Sequence, residues 1–220
     1  MRGARPAPPP RRDRRLPWRR LELVALDFEA TGLDFARDTI VSFGVVPMRD
    51  GRVDVGDAVY ELVDPGDVIP SPESVTVHGL RPVDLRGAKG LDAARNALAP
   101  LIAGRFLVTW AGMVEAGFLD VLYGGGVRSW LRRCIDAREL MFALEDDPPV
   151  PFTLTAVAEV LGVPVASPHH ALDDALVTAQ VFLIAATRLE ARGVTTARSL
   201  QETKRLEPPS LRRPRAPIVR

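Results

Sequence analysis

The sequence predicts a single α/β domain, a mixed sheet with a helical layer on each side. Three observations carry this expectation. Residues 21–63 hold three β-type runs joined by short turns, the pattern of an antiparallel meander. Helical and strand-like runs then alternate as far as residue 190, which places helices on the faces of a sheet. The first run, Leu21–Phe28, is apolar on both faces, as a central strand covered from both sides must be. A chain of 220 residues, 46% hydrophobic and 26% charged, suits one domain with a full core plus tails.

The elements follow in order. Side chains on a strand alternate faces. Leu23, Ala25, Asp27 and Glu29 therefore share one face of the first strand, and Val24, Leu26 and Phe28 the other. Thr39–Pro47 is the second strand, followed by the turn Arg49-Asp50-Gly51, and Asp57–Val63 is the third. Three prolines and a glycine put Asp64–Pro72 in a loop, and Ser71–Val77 fits one helical turn ending at His78-Gly79. Leu91–Leu101 is a helix, with Leu91, Ala94, Leu98 and Leu101 at three-to-four spacing. Arg105–Trp110 is a strand, and Val114–Tyr123 is a helix stopped by glycines 124–126. Trp130–Ala137 includes a short strand around Cys134–Ile135, Arg138–Leu144 is a helix, and Glu145–Pro151 is an acidic, proline-rich loop. Thr153 or Phe152 opens a helix over Thr153–Leu161, with Gly162 where a terminating glycine belongs. Ala171–Glu190 is the longest helix, striped by Leu172, Ala175, Leu176, Ala179, Leu183 and Ala186. Beyond residue 191 a short helix and a basic, proline-rich tail are expected. Residues 1–20 lack the apolar content to fold and are expected to be a disordered basic tail.

Charge is unevenly spread. Residues 1–20 carry eight Arg against one Asp, and residues 204–220 six Lys/Arg against one Glu. The formal net charge is +1, so the body between them carries −11. An acidic body with basic ends is the reverse of a basic nucleic-acid-binding face. Such a body meets a polyanion through metal ions, with the tails adding non-specific attraction. One cysteine, Cys134, excludes a disulfide framework or a cysteine zinc site within the chain, and its apolar setting reads as core. No apolar run approaches the ~18 residues that span a bilayer, and the arginine-rich, proline-rich start lacks the apolar stretch of a secretory signal. The expectation is a soluble cytoplasmic protein with no membrane partner.

Chemistry concentrates at four places. Asp27 and Glu29 project together from the end of the first strand, where like charges repel and resist desolvation. A divalent cation would compensate them; the alternative is one exposed acid and one that caps the turn. Glu115 lies three, four and seven residues before Phe118, Leu119 and Leu122, on the inward stripe of its helix, or serves as a first-turn acid favoured by the helix dipole. Asp120, about 140° further round, faces elsewhere. His169-His170-Ala171-Leu172-Asp173-Asp174 opens the long helix with two of the chain's three histidines, and a histidine beside carboxylates can take a proton from water. Finally, the turn Thr31-Gly32-Leu33 offers N–H groups and a bare glycine next to the acids.

Asp27-x-Glu29 followed by Ala-Thr-Gly, then an acid on a helix, then His169-x-Ala171-x-x-Asp174 resembles the DEDDh, or DnaQ-like, 3′–5′ exonucleases, the family of the DNA polymerase III epsilon-type domain. The resemblance spans about residues 21–188, and VTVHGL (75–80) and CIDARELM (134–141) also match family segments. It implies a ribonuclease H-like fold with a five-stranded mixed sheet, and an exonuclease domain over 21–190. It implies that Asp27, Glu29, Glu115 and Asp174 hold two divalent cations, Mg²⁺ or Mn²⁺, with Asp27 bridging, and that His169 is the general base. Ala30, Thr31, Gly32 and Leu33 would seat the 3′-terminal nucleotide, and His78 and Leu80 would wall its base. The implied substrate is a single-stranded or frayed 3′ end of DNA or RNA, with DNA favoured, and a polymerase is the candidate protein partner.

The chain departs from the family in the middle motif. Where the family has His-Asn-x-x-Phe-Asp, this chain has Trp110-Ala111-Gly112-Met113-Val114-Glu115. The acid is kept with one extra methylene, and the His-Asn pair is gone. An impaired module of the same fold that only binds nucleic acid or a polymerase is therefore the alternative. A ribonuclease H-type endonuclease is a third reading, disfavoured by the His-x-Ala-x-x-Asp motif.

Overall fold

The structure, a computed structural model, describes residues 5–144 and 152–203. The meander forms as expected: β1 (Leu23–Ala30) pairs antiparallel with β2 (Ile40–Arg49), and β2 with the short β3 (Arg52–Val53) and with β4 (Val59–Asp64). The helix α1 (Pro72–His78) is capped by the Ser71 hydroxyl and ends on Gly79 in the left-handed region. The strand β5 (Lys89–Gly90) then precedes α2 (Leu91–Ile102), β6 (Phe106–Thr109), α3 (Gly112–Tyr123), α4 (Val127–Leu131) and β7 (Cys134–Asp136). The helices α5 (Ala137–Phe142), α6 (Leu154–Leu161), α7 (Ala171–Glu190) and α8 (Ala197–Gln201) complete the described chain. Sheet order is β5-β4-β2-β1-β6-β7, with β6 parallel to both β1 and β7.

The alternation read from β1 builds two cores. Leu23 and Ala25 face a cluster that includes Ala175, Ala179 and Phe182 of α7 and Leu140 of α5. Val24, Leu26 and Phe28 face Ala94 and Leu98 of α2 and Phe118 and Leu119 of α3. Asp27 and Glu29 thus emerge on the α7 side. Cys134 is buried, its thiol donating to the Trp130 carbonyl.

The structure corrects two expectations. The sheet has six strands in line plus β3, where five were expected; β5 and β3 are two-residue edge pairs too short to leave a hydrophobic period. Residues 5–20 are not a disordered tail. Trp18 is 0% exposed and meets Phe182 edge-on at 5.6 Å, and its main-chain N–H donates to the Thr195 carbonyl. Arg19 pairs with Glu190 at 2.9 Å, and Pro17 bridges Thr196. One large aromatic anchors a segment whose average composition argues for disorder. The expected loop over 145–151 and the tail over 204–220 lie outside the described residues.

Candidate active site

The end of β1 is crowded because two elements are pressed onto it. Asp27 stands opposite Gly44 of β2, and any side chain at Gly44 would run into the Ala171 carbonyl at the start of α7. That bare position lets the first turn of α7 settle against the sheet, bringing Asp174 to the β1 carboxylates. The preceding His169 adopts a left-handed backbone, φ 60°, a conformation costly for a non-glycine residue and found mostly at functional sites. Its N–H donates to Asp174 Oδ2 at 3.0 Å, and its side chain is exposed to the cleft. Ligand atoms of Glu29, His169 and Asp174 all lie within 4.8 Å of one another.

Glu115, in the first turn of α3, reaches the same cleft from the other side and is 3% exposed. Its Oε2 has no hydrogen-bond partner among the described residues. Asp136 lies close enough to repel it, but holds its own place as a cap. Its carboxylate accepts from the Gly112 and Glu139 N–H groups at 3.0 and 3.2 Å.

The electrostatics are those of four like charges. Burial first, then Glu115, Glu29 and Asp174, hold the Asp27 carboxyl well above the usual range. Burial and then Asp174 push Glu29 up to about 8. Burial raises Asp174 despite the opposing bond from the His169 N–H, and burial followed by Asp136 raises Glu115. Four carboxylates, mutually repelling, with one buried oxygen unpartnered, are a donor set that a hard divalent cation takes. The residues present therefore fit the expected ions.

The cleft has a volume of about 500 Å³, and Trp110, Phe152 and Arg138 line it beyond the carboxylates. Trp110 and Phe152 lie 5.9 Å apart, and the Arg138 guanidinium sits 5.8 Å over the Phe152 ring. A second cavity of about 380 Å³ adjoins it through Phe28, Glu29 and Val114, and Ala30, Gly32, Leu33 and His78 line that one. His78 is fixed as the Nε2–H tautomer: Leu80 N–H donates to Nδ1 at 3.0 Å, so the ring donates from Nε2 to the Ala30 carbonyl at 3.2 Å. Burial lowers its pKa, reinforced by His169.

Two of the expected substrate contacts have partners within the protein. Thr31 is fully buried: its hydroxyl donates to Asp38, its N–H to the Thr39 carbonyl, and its carbonyl accepts from Ser71 and Ser74. Leu80 is not among the cavity-lining residues and instead sets the His78 tautomer. Gly32 is bare because Asp38 occupies the space a Cβ would take. Asp120, read as facing elsewhere, accepts from the Gly126 N–H. Asp38 and the place of Phe152 in the cleft wall were not legible in the sequence, whereas Trp110 and the segment that holds Asp136 were noted there. Gly44 had a signal, a glycine inside a strand pattern, which marks close backbone approach.

The chain's likeness to known proteins agrees with this geometry. The model of an exonuclease family, RNase_T, matches residues 24–182. The PolC-type DNA polymerase III of Thermotoga petrophila is 29% identical over 182 residues, 82% of this chain and 13% of that protein. The DNA polymerase III subunit epsilon-like protein of Rhodobacter capsulatus is 28% identical over 186 residues, 82% of this chain and 26% of that protein. The chain thus spans 13% and 26% of the length of these two relatives. Among solved structures, Escherichia coli exonuclease I in complex with a dT13 oligonucleotide superposes with a TM-score of 0.67 at 16% identity, over 79% of this chain and 42% of that one. The nuclease domain of 3′hExo, a DEDDh family member, bound to rAMP, superposes with a TM-score of 0.62 at 19% identity, over 81% and 96%. At those identities the likeness is one of fold. Among the described residues no helix is long and apolar enough to cross a membrane. With the family model covering most of the folded chain, the chain belongs to the exonuclease family.

Proposed function

We propose that the protein is a metal-dependent 3′–5′ exonuclease that releases nucleoside 5′-monophosphates, with DNA as the favoured substrate. The observation that supports it most is the convergence of Glu29, His169 and Asp174 within 4.8 Å, beside the half-buried Asp27 and the buried Glu115. Asp27, Glu29, Glu115 and Asp174 would hold two ions, Mg²⁺ or Mn²⁺, with Asp27 between the others. Bound there, the ions supply the positive charge that polarises the scissile phosphate and eases release of the 3′ oxygen. His169 takes the proton from the attacking water, a contribution of about 10²–10⁴ in rate. Ala30, Gly32, Leu33 and His78 seat the terminal nucleotide in the adjoining cavity. Trp110 and Phe152 give an unpaired base a face on which to stack. DNA is favoured because the curated relatives that cover most of this chain are DNA polymerase III proteins. A polymerase partner follows from the same likeness and from nothing in the described surface.

Glu115 carries the doubt raised by the sequence, and its burial in the cleft supports a ligand's role over a dipole acid's. With Mg²⁺ or Mn²⁺ the protein is expected to shorten a 5′-labelled single-stranded oligonucleotide one nucleotide at a time and to leave a circular one intact. His169→Ala should lose at least about 10²-fold in kcat with the fold kept. Glu115→Asp should retain activity, whereas Glu115→Gln should lose it. No shortening of DNA or RNA with either ion would leave the impaired binding module as the correct reading.

A further inference from the structure

At the end of the parallel strands away from the carboxylates lies a second cleft, of about 420 Å³. The N-terminal segment folds back to form one wall, with Arg11, Arg14 and Arg15. The opposite wall carries Arg132, Arg133 and Arg198. Among the described residues no carboxylate lines it. Arg198 pairs with Glu202 at 3.0 Å, and Arg14 is bonded to the neutral Gln201. Arg11, Arg15 and Arg132 are exposed and make no ion pair among the described residues.

Arg133 is 2% exposed. Its guanidinium is anchored to the Pro6 and Ile102 carbonyls and lies 4.7 Å from the Trp130 ring, while its Nε is buried without a partner. Six guanidinium groups around one cavity, one of them desolvated, repel unless an anion enters. An anion with several charges in a row, such as a phosphate backbone, can meet more than one of these arginines at once. Phe106, on the cleft wall, pairs with Leu23, four to six residues before Asp27 and Glu29. At about 3.3 Å per residue that is about 13–20 Å along the sheet. A single strand of about six nucleotides, with at least about 3.4 Å between phosphates, covers that distance.

We propose that this arginine cleft binds the phosphate backbone of the nucleic-acid strand upstream of the 3′ end held at the carboxylates. The inference rests on nucleic acid being the substrate. The cleft acts by charge and shape alone and adds affinity without sequence preference. It also gives the basic N-terminus a fixed place, against the expectation of a free tail.

The test is fluorescence anisotropy in EDTA, where no cleavage occurs, with labelled single strands of about 4 and about 20 nucleotides. The full chain is compared with its triple variant Arg11→Gln, Arg15→Gln, Arg132→Gln, three surface changes that touch no described partner. Three phosphate contacts contribute a slope of about −2 in log affinity against log salt. Raising salt from about 50 to about 200 mM should therefore weaken the long strand about 20-fold more in the wild type than in the variant. The short strand should bind both proteins alike. Equal slopes, or a long strand that binds no tighter than the short one, would overturn the proposal. Tighter binding of poly-glutamate than of the long strand at equal charge would overturn it too and assign the cleft to acidic polypeptides. Manganese-dependent cleavage of the short strand reports separately on the proposed activity. Its absence with the slopes retained would refute the activity and leave the cleft.

Discussion

Glu29 shows how one side chain carries the tension of the whole site. The unfolded chain gives up this proton near its ordinary value of about 4.3, but burial and Asp174 keep it on the folded protein up to about 8. Between those values the folded state binds more protons than the unfolded state. Stability of the metal-free protein therefore falls as pH rises through that window. Asp27, Glu115 and Asp174 shift in the same direction. Mg²⁺ or Mn²⁺ binds the deprotonated acids and should restore stability most at the upper end. Melting temperatures in EDTA and in metal, from about pH 5 to about pH 8.5, should diverge with rising pH; parallel profiles would count against a carboxylate metal site. His169 is the other residue whose setting was invisible in sequence. Its motif spacing to Asp174 could be read directly, but its left-handed backbone could not.

Elements were legible wherever one face is buried against one partner. The long helix α7 runs Ala171–Glu190, the bounds its stripe predicts, and α6 takes Thr153, one of the two openings offered, as its cap and stops at the expected Gly162. Short edge strands and the approach of α7 to β2 were not, because neither leaves a period along the chain. That approach hinges on Gly44. Gly44→Ala would place a methyl against the Ala171 main chain, where backbone has to move, at a cost of about 1–3 kcal/mol. Since α7 carries Asp174 and follows His169, activity should fall more than stability explains. Urea unfolding together with exonuclease rates checks this, and a variant of wild-type stability and rate would refute the close approach.

The largest difference between expectation and structure concerns the whole molecule. The N-terminal segment was read from composition as a free tail, but Trp18 inserts between α7 and the 194–196 turn and draws the arginines of residues 11–15 onto the domain. Trp18→Ala should cost about 3–5 kcal/mol, measured by urea denaturation; an unchanged midpoint would restore the free tail. The sequence by itself determined the fold class and the order of the main elements, and it singled out the four acids and the histidine that line one cleft. It could do so because hydrophobic period and motif spacing are local properties. Tertiary structure alone decided that Glu115 is desolvated in the cleft, that Thr31 is a strut and Leu80 the donor that fixes His78, and that six arginines share one cleft. These depend on which distant segments share space, and proximity in space has no period along the chain.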